Sequence, residues 1–74
     1  MNKALLRNAD RLGLALKQAE RAQRNLIQVQ AWAERHSHEH LGQGTLDLSQ
    51  RLSQLTADLR SLVTVVRARG KAEV

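Results

Sequence analysis

Seventy-four residues allow one small domain, and the formal net charge of +5 admits an acidic partner such as nucleic acid or an acidic protein face. There is no cysteine, so a disulfide framework is excluded, and no proline, which suits long uninterrupted helices. Trp32 is the only aromatic residue, too few for a β-sandwich or barrel.

From Asn2 to Leu41 the residues are mostly Ala, Leu, Arg, Lys, Gln and Glu, which favour helix. The pattern predicts a long helix over about residues 2–41. Gly13 is its weak point, costing about 1 kcal/mol relative to Ala. Leu5, Leu12, Ala19, Leu26, Ala33 and His40 recur every seven residues, with Met1, Asn8, Ala15, Ala22, Val29 and His36 as a companion row.

Gly42-Gln43-Gly44 reads as the helix stop, with Gly42 as the left-handed closing residue. Thr45 or Asp47 would cap a second, shorter helix over about 45–69. Within it Leu48, Leu52, Leu55, Leu59, Leu62 and Val66 are spaced four and three, an unbroken heptad seam. A short connection between two such helices forces an antiparallel hairpin.

The expected fold is therefore all-α: a helical hairpin over 1–69, dimerising into a four-helix bundle or coiled coil, with 70–74 as a disordered tail. Unequal helix lengths leave residues 1–16 overhanging. That segment carries Leu5, Leu6, Leu12, Leu14 and Leu16, and each leucine is worth about 1.5–3 kcal/mol when fully buried. A second hairpin could cover them, or a bend at Gly13 could fold the segment back as a third helix. Dimerisation is the expectation taken, because these leucines occupy more than one face.

The sequence holds three candidate sites. Leu5, Leu6, Leu12, Leu16 and Trp32 are read as the interface for self-association or a protein partner; tryptophan is over-represented at binding hot spots. Lys3, Arg7, Arg11, Lys17, Arg21 and Arg24 form basic ridges that a phosphate backbone would find attractive. No Tyr or Phe is present to stack on bases. His36 and His40, four apart on a helix, are weak metal candidates or a pH-responsive pair. Histidines in a last helical turn also simply complement the helix dipole.

No serine–histidine–acid set, cysteine nucleophile or glycine-rich phosphate loop is recognisable. The expectation is a non-enzymatic adaptor, assembly factor or regulator. It would act as a homodimer with a protein partner and with no cofactor or small-molecule substrate. The alternative is a nucleic-acid-binding regulator. No apolar run is long enough to span a membrane or to read as a signal peptide, so a cytoplasmic location is expected.

Overall fold

In a computed structural model of the chain, which describes residues 2–72, two α-helices fold back on each other. They are α1 (Lys3–Arg35) and α2 (Glu39–Ala72). The result is an antiparallel rod of 57 × 14 × 11 Å. The helical hairpin expected from the sequence is present, but its turn lies elsewhere.

Asn2 starts α1. Its backbone is extended, and its side-chain oxygen accepts from the Leu5 N–H at 3.0 Å, satisfying one donor of the first turn. The helix ends at His36, and Ser37 takes the left-handed conformation with φ of 57°. The Ser37 N–H donates to the Glu34 carbonyl at 3.4 Å, and the His38 N–H to that of Ala33 at 2.9 Å. These two bonds satisfy carbonyls that a helix end leaves open. Gly42 and Gly44 lie inside α2, and no glycine has positive φ.

Moving the turn from Gly42–Gly44 to His36–His38 changes the proportions of the hairpin. The helices have 33 and 34 residues, so no N-terminal overhang exists. Leu5, Leu6, Leu12 and Leu16 are half-buried along α2. This explains the choice of turn. A serine in the left-handed region costs about 1–2 kcal/mol, and two helical glycines cost about 1 kcal/mol each. Covering four leucines over the full length offsets this. α1 runs through Gly13 unbroken, so the third helix is also absent. The tail expected from residue 70 is helical through Ala72. Glu73 and Val74, like Met1, lie outside the described residues.

The buried seam is regular. On α1 it runs Leu5, Ala9, Leu12, Leu16, Ala19, Gln23, Leu26, Gln30 and Ala33; on α2 it runs Gly42, Thr45, Ser49, Leu52, Thr56, Leu59, Val63, Val66 and Gly70. All are buried or half-buried at alternating spacings of three and four. Small residues let the backbones approach. A Cβ added at Gly42 would meet the Ala33 Cβ at 3.8 Å, and one at Gly70 would lie 2.9 Å from Leu6 Cδ2 and 3.4 Å from Leu5 Cβ. The Thr45 hydroxyl donates back to the Leu41 carbonyl at 2.8 Å and the Thr56 hydroxyl to that of Ser53 at 2.8 Å, so both enter the seam satisfied.

This core is thin. Its buried apolar members are Ala9, Ala33 and Val63, and among the described residues no large side chain is completely enclosed. Chains of this size with so little burial usually need a staple or an assembly.

Candidate interaction surfaces

The seam divides the rod into two flanks of different chemistry. On a helix one residue step turns about 100°, so the residues just before and just after a seam position point to opposite sides. Glu20 and Arg60 follow Ala19 and Leu59, and their side chains meet at 3.7 Å. On the same flank Arg67 lies 3.9 Å from Asp10 and passes over Gly13, where an added Cβ would sit 3.1 Å from its guanidinium. Lys17, Glu20, Arg21 and Arg24 line one open surface here. The charges on this flank are mainly basic, and the exposed Leu14 and Ile27 also stand on this side.

The other flank is apolar. Leu41, Leu48, Leu55 and Leu62 each precede a seam residue of α2, seven residues apart, and are between 42% and 61% exposed. Ala15, Ala22 and Val29 precede seam residues of α1 on the same side. The register set by Ala33 against Gly42 and Leu5 against Gly70 places Val29 at about the height of Leu48. By the same register Ala22 lies level with Leu55, and Ala15 with Leu62. Trp32 and Val65 border the flank. Nine large apolar residues are exposed among those described. Seven of them, Val29, Trp32, Leu41, Leu48, Leu55, Leu62 and Val65, belong here; Leu14 and Ile27 do not. So long a row is not the scatter of single apolar residues normal on a surface.

The sequence-predicted interface divides accordingly. Leu5, Leu6, Leu12 and Leu16 pack along α2 within the hairpin and are not left as an open face. Trp32 remains exposed, with its ring stacked on His36 at 4.5 Å and on His38 at 5.1 Å between centroids. The flank leucines missed as a surface carried a signal: identical residues seven apart, each beside a Gly, Thr, Ser or Val that forms the closer contact.

The basic residues are all exposed. Lys17, Arg21 and Arg24 cluster on the polar flank. Lys3 and Arg7 lie nearer the free end of the rod, and Arg11 turns toward the apolar side, so the six do not form one continuous track.

His36 and His40 do not share a helix face. His36 closes α1, with Nδ1 2.9 Å from the Trp32 carbonyl oxygen, whereas His40 sits in the first turn of α2. The left-handed Ser37 reverses the chain between them. Among the described residues no three His, Cys, Asp or Glu side chains come together as a metal site. No helix there is long and apolar enough to cross a membrane.

Comparison with protein-family models, curated proteins and solved structures returned no match.

Proposed function

We propose that this chain is a small non-enzymatic interaction protein that self-associates as a dimer and presents helix faces to a protein partner. The observation that carries the reading is the apolar flank, where seven large apolar side chains stand exposed along one side of the rod. A hairpin with so thin a core, in which only Ala9, Ala33 and Val63 are buried apolar residues, gains further apolar burial by covering that flank.

The test is the mass of the full chain in solution by light scattering over a range of concentrations. A dimer is expected. Leu55→Lys on the flank should give a monomer, whereas Leu14→Lys, equally exposed but off the flank, should not. A Leu55→Lys protein that keeps the parental mass removes the reading.

A second reading is nucleic-acid binding, supported by Lys17, Arg21 and Arg24 on the flank that self-association would leave open. Binding to a duplex or single strand should then weaken steeply with salt and disappear in an Arg21→Glu, Arg24→Glu double variant. No binding at low salt excludes it.

A further inference from the structure

We infer that a second copy docks on the apolar flank with both turns at the same end, related by a two-fold axis along the rod. The inference rests on the self-association proposed above and adds its geometry.

The flank has a row of leucines on α2 and, on α1, a row of less bulky residues, two alanines and a valine. Leu48, Leu55 and Leu62 stand level with Val29, Ala22 and Ala15. A two-fold axis along the rod preserves height and exchanges sides. It therefore lays the α2 row of each copy on the α1 row of the other. Leu55 enters between Ala22 of its own chain and Ala22 of the partner subunit, and the layers above and below repeat the pattern. Large against small is how facing layers interdigitate without voids. An axis across the rod would instead set leucine on leucine and alanine on alanine, spreading one helix pair and crowding the other.

Charge is compatible with this arrangement. Arg51 and Asp58 border the leucine row; each already has a partner in its own helix, Arg51 with Asp47 at 3.0 Å and Asp58 accepting from Gln54 at 3.0 Å. In the proposed dimer they lie opposite Asn25 and Gln18 of the partner subunit, so no like charges meet between Leu41 and Leu62; beyond Leu62, at the free end, Arg69 continues the row and comes within about a turn of Arg11 of the partner subunit. The area is sufficient. The row from Leu41 to Leu62 is about 30 Å long at 1.5 Å per residue, and two helices are roughly 20 Å wide. That buries on the order of 600 Å² per copy, or ~1,200 Å² in all, the lower bound of a specific interface. A different protein would have to supply the same seven-residue relief; a second copy supplies it by symmetry.

The chain has no cysteine, so one spin label per chain can be placed at Glu39→Cys, beside the turn, and separately at Lys71→Cys, at the far end. Pulsed dipolar spectroscopy on protein of measured mass reads the separation. The expected result is a dimer with distances of roughly 30 Å or less at both sites, given neighbouring axes 8–10 Å apart. Distances near 50 Å at both sites in a protein of dimer mass overturn the shared-end arrangement but leave self-association standing. A monomer mass for the unlabelled chain, including a monomer awaiting a different occupant of the flank, overturns self-association itself, and a mass above the dimer overturns the two-fold pair.

Discussion

The Asn2 N–H donates to the Gly70 carbonyl oxygen at 2.8 Å, tying the start of α1 to the last turns of α2. The Asn2 side chain caps the same helix start through the Leu5 N–H. Asn2→Ala keeps the backbone bond but removes the cap. It should lower stability by about 1 kcal/mol. Amide exchange should rise at both helix ends beside it and stay unchanged at the His36–His38 turn. Faster exchange at the turn instead would contradict the pairing of the ends.

Ser37 is the one non-glycine residue with positive φ among those described. Ser37→Gly should stabilise the hairpin by about 0.5–1 kcal/mol, because relief of the left-handed conformation exceeds the extra freedom of glycine in the unfolded chain. Chemical denaturation of the two proteins measures this. An unchanged or lower midpoint would mean that the serine is not strained there.

Two glycines of α2 should respond in opposite ways to one methyl group. At Gly44 an added Cβ meets nothing within 4 Å, so Gly44→Ala should stabilise by about 1 kcal/mol through helix propensity. At Gly70 it would lie 2.9 Å from Leu6 Cδ2 and 3.1 Å from Leu6 Cγ. Overpacking there costs about 1–3 kcal/mol against about 1 kcal/mol of helix propensity, so Gly70→Ala should destabilise by up to about 2 kcal/mol. Thermal unfolding of the pair decides it; a stabilised Gly70→Ala would show that the helices stand further apart there.

The ion pairs Arg60–Glu20 and Arg67–Asp10 are solvent-exposed and long, at 3.7 and 3.9 Å. Glu20→Gln should cost less than about 1 kcal/mol. If the apolar flank holds the assembly, raising salt to 1 M should leave the mass in solution unchanged while screening these pairs. Dissociation at high salt would point to the charged flank as the contact.

Much of the fold can be read from residue spacing alone. Leu5, Leu12, Ala19, Leu26 and Ala33 on one helix, and Leu52, Leu59 and Val66 on the other, face the partner helix as their heptad phase predicts. The turn could not be read locally. Gly42-Gln43-Gly44 carries the strongest stop signal, yet pairing over the whole length outweighs the conformational preference of three residues. The companion rows differ from the expected ones for a related reason. Leucine ranks above Thr45, Ser49 and Thr56 in any hydrophobic pattern, but the smaller residues permit the close approach and so take the seam. Leu48, Leu55 and Leu62 are turned outward as a result. The basic cluster was legible as composition, but its division between the two flanks depends on the register.

The bond between Asn2 and Gly70 has a topological consequence. It brings residues distant in the chain together at the end of the rod opposite Ser37, so the hairpin is nearly a closed loop. A short flexible peptide joining the two ends, with the chain reopened at the exposed turn, would give a circular permutant that keeps both helices and every layer of the seam.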